Sequence, residues 1–86
     1  MPVISRFLGI IITMYFDDHE PPHFHVRYGE QRAVVEIDSL ALMRGRVSPR
    51  VLGLVVEWGL AHRPELRENW RRAREHESLT AIAPLE

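Results

Sequence analysis

The chain is 86 residues long, carries a formal net charge of -1 and contains no cysteine. This length leaves room for one hydrophobic core and excludes a second one. The near-neutral charge argues against a general attraction to nucleic acid or anionic membranes, and the lack of cysteine excludes disulfides, thiolate metal sites and a cysteine nucleophile.

The basic residues are unusual, because all eleven are arginine and none is lysine. Coding bias is the simpler reason. The alternative is that the planar guanidinium group, with its five donors, is needed for pairing with carboxylates or phosphates. The sequence is compatible with both.

Residues 1–47 have the pattern of a β-sheet. Residues 6–16 are apolar at most positions and rich in isoleucine, which predicts one strand that is covered on both faces and therefore central. This run is about half as long as a membrane span, and Asp17 and Asp18 follow it directly. It also lacks the small-residue cleavage pattern of a signal peptide. We therefore expect no membrane segment and a cytoplasmic location.

A second strand is predicted after the pair Pro21-Pro22, which interrupts the sheet because proline cannot donate a ladder hydrogen bond. Residues 23–28 alternate between apolar and polar side chains, so that one face of this strand is expected to point toward the core. The side chains of the opposite face are His23, His25 and Arg27.

The rest of the predicted sheet is shorter. Gly29 and Glu30 are expected to form a two-residue hairpin turn before a third strand over residues 31–38. A short fourth strand over residues 41–44, followed by a turn at Gly45, would complete the sheet. These elements predict an antiparallel β-meander of three to four strands.

Residues 48–77 are predicted to form two helices packed on the sheet. Ser48 is a typical N-cap, and Pro49 suits the first helical position. The first helix is expected to end near His62, and the second to begin at Pro64 and end at residue 75 or 76. Gly59 inside the first helix indicates close packing, because glycine there costs about 1 kcal/mol relative to alanine.

The tail, residues 78–86, alternates in hydrophobicity and is expected to dock back on the domain as an extended segment. The predicted fold class is thus α+β in a single domain over residues 1–86.

Three histidines, His19, His23 and His25, lie within seven residues. On a strand, positions 23 and 25 project from the same face with Cβ atoms roughly 6.5–7 Å apart. That spacing allows both imidazoles to meet one metal ion, with His19 or Asp17 as a third ligand. Imidazole and carboxylate ligands suit Zn, Ni, Mn or Fe.

The histidine cluster is also compatible with two roles that need no metal. The side chains can form a solvated hydrogen-bond network with the neighbouring carboxylates. They can also serve in acid–base catalysis, because imidazole titrates near neutral pH. In an enzyme, the catalytic residues would be His19, His23, His25 and Arg27.

A separate group of arginines lies on one side of the second predicted helix. Arg67, Arg71 and Arg74 could contact phosphates there. The alternative is a solvated helix face that Glu68 and Glu75 neutralise.

Several motifs resemble one known family over essentially the whole chain. The most specific block is Pro21-Pro22-His23-Phe24-His25, preceded by Met1-Pro2-x-Ile4-Ser5-x-Phe7-x-Gly9-Ile10 and followed by Glu57-Trp58, Asn69-Trp70 and Ile82-x-Pro84-Leu85. Together they resemble an uncharacterised bacterial family, the domain-of-unknown-function family numbered 4160. The resemblance implies a small stand-alone prokaryotic protein without an established activity. It also implies a frequent neighbouring gene for a second small protein, in an arrangement similar to toxin–antitoxin pairs.

The leading functional hypothesis is a binding module, one component of a two-protein, toxin–antitoxin-like system, with the histidine face as a surface for a metal ion or a partner. The expected partner is the small protein of the neighbouring gene, a second copy of the chain, or both. Since no complete catalytic set is present, this hypothesis is favoured over a metal-dependent or histidine acid–base hydrolase or ribonuclease. An RNA-binding accessory domain is a third hypothesis; no membrane partner is expected, and nucleic acid is not favoured.

Overall fold

A computed structural model describes residues 2–86, so that Met1 of the N-terminal motif lies outside the described residues. Five antiparallel strands form one sheet in chain order. They are β1 (Val3–Phe7), β2 (Ile10–Thr13), β3 (His23–Tyr28), β4 (Gln31–Glu36) and β5 (Leu42–Arg46), followed by helix α1 (Pro49–Arg74). The α+β class and the meander are confirmed, with five strands instead of three to four.

The single strand predicted over residues 6–16 is wrong. Leu8 and Gly9 form a turn in which both residues have positive φ, 50° and 82°, and the chain reverses there so that β1 pairs with β2. Positive φ is rare for leucine, and an apolar residue in the turn hides the break from the hydrophobicity pattern. β2 lies inside the sheet as expected, whereas β1 lies at its edge.

The hairpin predicted at Gly29 and Glu30 is confirmed, because Tyr28 pairs with Gln31 across it and Gly29 has a φ of 60°. The turn predicted at Gly45 is wrong, since this glycine lies within β5. Its φ is 78°, and a Cβ there would collide with the backbone carbonyl of Arg32. Gly45 therefore allows β5 to approach β4 closely.

The prediction of two helices is also wrong, because residues 49–74 form one helix with a kink. Ser48 is the N-cap, as predicted, and its hydroxyl accepts a hydrogen bond from the amide of Val51. Only His62 departs from helical geometry, with a φ of -126° and a ψ of 21°. Pro64 follows in the first turn after the kink, where its missing N–H is tolerated and the helix can resume.

No helix in the described part of the chain has both the length and the hydrophobicity needed to cross a membrane.

The hydrophobic core lies between α1 and one face of the sheet. The Trp58 ring packs against Phe7 and Phe24, with ring centroids 5.4 and 5.8 Å apart. Gly59 faces Leu40 so closely that a Cβ there would lie 2.7 Å from a Leu40 methyl carbon. The close packing predicted at Gly59 is thereby confirmed.

The tail docks on the domain as an extended segment, as predicted. The Ile82 amide donates to the carbonyl of Ile4 on β1 at 2.8 Å, and Ile82 is buried. The indole N–H of Trp58 donates to the carbonyl of Ala83 at 2.9 Å. These bonds hold the tail between the edge of the sheet and the helix.

Candidate metal centre

Two of the predicted histidines converge on one carboxylate. The Nε2 atoms of His23 and His25 lie 2.8 and 3.0 Å from the same oxygen, Oδ2 of Asp18. Each of the three residues offers a ligand atom, and all these atoms lie within 4.8 Å of one another. The arrangement can accommodate one cation.

Strand geometry places the two imidazoles on one side of β3. Positions 23 and 25 are two residues apart, and their ring centroids are 5.3 Å apart. Asp18 lies in the loop between β2 and β3, where the Glu20–Pro21 peptide is cis. The His19 amide donates to Asp18 Oδ1 at 3.0 Å, which directs the other carboxylate oxygen toward the imidazoles.

The orientation of the His23 ring is fixed from both sides. Its side chain is only 3% exposed, its ring centroid lies 5.2 Å from that of Trp70, and its Nδ1 lies 2.8 Å from the carbonyl oxygen of Pro21. A carbonyl oxygen only accepts, so Nδ1 must donate to it. In neutral His23 the lone pair of Nε2 then faces Asp18 Oδ2, which is another acceptor. A second proton on the imidazole, or a cation between the two atoms, removes this conflict.

His25 forms the accessible side of the site. It is 26% exposed, compared with 21% for Asp18, and the ring of Tyr15 stands edge-on to it at a centroid distance of 4.5 Å. A bound ion would therefore be covered on the His23 side and reachable from solvent on the His25 side.

Asp18 supplies the negative charge of the site. Partial burial raises the pKa of Asp18. Hydrogen bonds from His25, the His19 amide and His23 lower it by more, so that the pKa lies below the ordinary value of 3.8. The side chain is therefore an anionic ligand at neutral pH.

The other two predicted ligands lie outside this cluster. His19 is exposed and contributes its backbone amide. The Asp17 carboxylate pairs with Nε2 of His76 at 3.1 Å. Asp18 was not among the ligands predicted from the sequence. The signal that could have identified it is its position only five and seven residues before the two histidines, across a single loop.

The arginines predicted as functional residues lie elsewhere. Arg27 is exposed on β3, and its Nε donates to the Gly29 carbonyl at 3.4 Å. On α1 the three predicted phosphate contacts are each paired with a carboxylate: Arg67 with Asp38, Arg71 with Glu68, and Arg74 with Glu20. A phosphate would have to displace these carboxylates, and nucleic-acid contact there stays a prediction.

The donor set has a defined chemistry. Two imidazole nitrogens and one carboxylate oxygen are the protein ligands of many zinc sites that keep an open position, and also of the facial triad that binds Fe(II). Such a set leaves at least one coordination position for water or for a group from another molecule. Without a metal, the same residues form a hydrogen-bonded His–Asp–His network.

Comparison with known proteins identifies a family. The family model described as "Domain of unknown function (DUF4160)" matches residues 9–71, a segment that contains all three residues of the candidate metal centre. No protein with a curated description and no solved structure is significantly similar to the chain. Since the match covers well over half of the 86 residues, the chain belongs to the DUF4160 family.

Proposed function

We propose that this protein is a binding module that holds a divalent transition-metal ion between Asp18, His23 and His25. The supporting observation is the convergence of three donor atoms within 4.8 Å. The contact of His23 with Pro21 adds to it, because Nδ1 donates to the carbonyl, and in neutral His23 the Nε2 lone pair is then directed at the Asp18 carboxylate. A divalent cation satisfies both acceptors at once.

The distance from each imidazole nitrogen to the carboxylate oxygen is close to the ligand–ligand distance in a zinc site. Zinc bonds of about 2.0–2.1 Å in a tetrahedral site place the ligand atoms about 3.3 Å apart. The two His–Asp distances are 2.8 and 3.0 Å. Each imidazole nitrogen would need to move away from the carboxylate oxygen by only a few tenths of an ångström, and the carbonyl of Pro21 would keep the His23 ring in place, as outer contacts do in metal sites.

Zinc is the first choice among the metals, with nickel, manganese and iron as alternatives. Zinc accepts mixed nitrogen and oxygen ligands and has no preferred geometry from its d electrons. The carboxylate and two neutral imidazoles leave a net positive charge at the site, which favours an anionic or polar group in the open position. The proposed binding role is that a group of another molecule occupies this open coordination position.

The experiment compares metal content and affinity across matched histidine variants of the untagged chain. We expect about one metal ion per chain after growth with zinc, measured by elemental analysis, and zinc binding by the stripped protein, measured by calorimetry. Asp18→Asn and His25→Ala should weaken zinc binding by at least about tenfold, as the loss of a direct ligand does.

The matched controls are His62→Ala and His76→Ala. His62 and His76 also contact a carboxylate, at 2.7 and 3.1 Å, but neither belongs to a three-ligand cluster in the described residues. Both variants should keep wild-type affinity. Absence of bound metal, together with a melting temperature that EDTA does not change, would exclude the proposed site. Equal losses in the controls would also exclude it.

A two-protein role is part of the same proposal. The outer strand β5 is exposed along its whole length, including Leu42 and Met43, and offers a surface on which a partner can pair. Co-expression with the product of the neighbouring gene, followed by purification and a growth assay, tests this role. A chain that stays monomeric and does not affect growth would contradict it.

A metal-dependent or acid–base hydrolase is the alternative function. It is supported by the accessible position of His25, which lies between Asp18 and Tyr15. Hydrolysis of a phosphodiester substrate by the wild type, lost in His25→Ala and retained in His62→Ala, would favour the enzyme over the binding module.

A further inference from the structure

A cavity of about 550 Å³ opens on the face of the sheet that α1 does not cover. Four arginines line it, from four different strands: Arg6, Arg27, Arg32 and Arg44. No acidic side chain among the described residues lines this arginine cavity, although the whole chain carries a net charge of -1. Positive charge is therefore concentrated on one surface.

The strand register accounts for the grouping of the arginines. Arg27 on β3 is directly opposite Arg32 on β4, and Val34, two residues further along β4, is opposite Arg44 on β5. On the other side, Ile11 lies between Arg27 and Arg6. Like charges directly opposite each other in a sheet are destabilising, so the arrangement has a cost in the free protein.

The four arginines are not neutralised within the part of the chain that the structure describes. None of them forms an ion pair with another described residue, and the Nε of Arg27 donates to the carbonyl of Gly29, at 3.4 Å. The arginines of α1 differ, since Arg67, Arg71 and Arg74 each contact a carboxylate. An anion in the cavity would supply the missing counter-charge.

The floor of the cavity is different in character from its rim. Val34 and Thr13 are each only 7% exposed, and Ile11, two residues before Thr13 on β2, is half-buried. The Tyr15 and His25 rings also line the cavity. An apolar floor with aromatic rings and a charged rim suits a ligand that joins a flat, weakly polar group to an anionic one.

We propose that the arginine cavity binds a phosphorylated nucleoside, either as a free nucleotide or as one unit of a single-stranded RNA. The guanidinium forks match the oxygens of a phosphate, and the floor and aromatic rings accept the base. A phosphate also neutralises the opposed pair Arg27 and Arg32. The proposal does not require a metal ion, although His25 belongs to both sites.

The experiment measures binding to the full chain in EDTA, so that the metal centre plays no part. Calorimetry with AMP and with inorganic phosphate tests the free nucleotide, and fluorescence anisotropy of a labelled oligoadenylate tests the RNA strand. The double variant Arg27→Gln, Arg32→Gln should weaken binding by at least about tenfold, because two charge-assisted hydrogen-bonding groups are lost. The double variant Arg67→Gln, Arg71→Gln removes the same charge from α1 and should bind within about twofold of wild type.

The two sources of ligand give different results. Tight binding of AMP without a gain for the oligoadenylate indicates a free nucleotide, whereas binding of the oligoadenylate that weakens with salt and is much tighter than that of AMP indicates an RNA strand. Either result supports the proposal if the sheet variant, Arg27→Gln with Arg32→Gln, loses this binding and the helix variant, Arg67→Gln with Arg71→Gln, keeps it. A melting temperature of the sheet variant no lower than that of wild type shows that it is folded.

Three results would overturn the proposal. The first is the absence of binding of AMP and of the oligoadenylate at millimolar concentration. The second is an equal loss of affinity in the sheet and helix variants. The third is tighter binding of a polyglutamate peptide than of either nucleotide probe, which would assign the cavity to an acidic protein segment.

Discussion

The side chain of Asn69 and the backbone of Thr80 form a reciprocal pair of hydrogen bonds. Asn69 Nδ2 donates to the Thr80 carbonyl at 2.8 Å, and the Thr80 amide donates to Asn69 Oδ1 at 2.9 Å. Asn69 has no solvent-exposed surface, so these bonds are made without competition from water. The side chain of Asn69 on α1 thus pairs with the backbone N–H and C=O of Thr80, as a neighbouring strand would in a sheet.

The first prediction follows from this pair. Asn69→Ala should lower the free energy of unfolding by about 2–3 kcal/mol, because it removes both backbone bonds, leaves the Thr80 backbone groups unpaired and also removes the bond from Thr80 Oγ1. Urea denaturation measures the change. Thr80→Val is the control: it removes only the bond from Oγ1, at 3.2 Å, and should cost less than about 1 kcal/mol. Equal losses in the two variants would contradict the role of the backbone pair.

The second prediction compares two glycines of α1. A Cβ at Gly53 meets nothing within 4 Å, whereas one at Gly59 would lie 2.7 Å from the side chain of buried Leu40. Gly53→Ala should raise the free energy of unfolding by about 0.5–1 kcal/mol through helix propensity. The free energy of unfolding of Gly59→Ala should be at least about 1 kcal/mol lower than that of Gly53→Ala, because overpacking against Leu40 offsets the gain in helix propensity. Equal values from thermal denaturation would show that Leu40 moves aside freely.

The third prediction concerns acid stability. Hydrogen bonds from Arg71, at 2.7 Å, and from Arg72 outweigh the effect of desolvation and lower the pKa of Glu68 from 4.5 to about 2. Because the pKa is lower in the folded protein, the stabilisation is present above pH 4.5 and is lost as the pH falls toward 2. The melting temperature of wild type should therefore exceed that of Glu68→Gln at neutral pH, and the gap should close over that interval.

Salt provides the control for this third prediction. Glu68 and Arg71 are both largely exposed, so molar sodium chloride should shrink the gap at neutral pH. A gap that persists at pH 2 would contradict the assignment to the carboxylate charge.

The fourth prediction rests on the proposed metal centre. The Trp70 ring centroid lies 5.2 Å from that of His23, so a paramagnetic ion bound to His23 would quench the emission of Trp70. Nickel should reduce tryptophan fluorescence in the wild type, and excess zinc should restore it by displacement. In Trp70→Phe only the quenching of Trp58 should remain, so that the fractional quenching falls while calorimetry still detects nickel binding. Fractional quenching that is undiminished in this variant would place the ion elsewhere.

The sequence predicts β3 and its hairpin well, because every second side chain from Phe24 onward is apolar and Gly29 follows at a suitable distance. The same pattern fails at Leu8 and Gly9, where an apolar residue occupies a turn within an apolar run. The two-residue period still places Ile10, Ile12 and Met14 on one face, and all three are buried. The predicted burial of these three residues is correct because the alternation of side chains along β2 does not depend on where the strand begins.

The candidate metal centre was predictable only in part, for a related reason. The pairing of His23 with His25 follows from the two-residue period of a strand. The third ligand does not, because residues 14–22 form a loop without a period, and the loop path decides whether Asp17, Asp18 or His19 faces the imidazoles. The arginine cavity depends on the pairing of four strands, and the hydrophobicity pattern does not reveal that register.

The tail hydrogen bond from Ile82 to Ile4 also bears on self-association. It occupies the outer side of β1, whereas β5 forms no further backbone pairing in the region that the structure describes. Because the tail covers the edge strand β1 and leaves the edge strand β5 uncovered, further strands can be added only at β5. Two copies joined through β5 would leave only tail-covered borders outside, so that growth by strand addition would end with a dimer and not continue into a fibre.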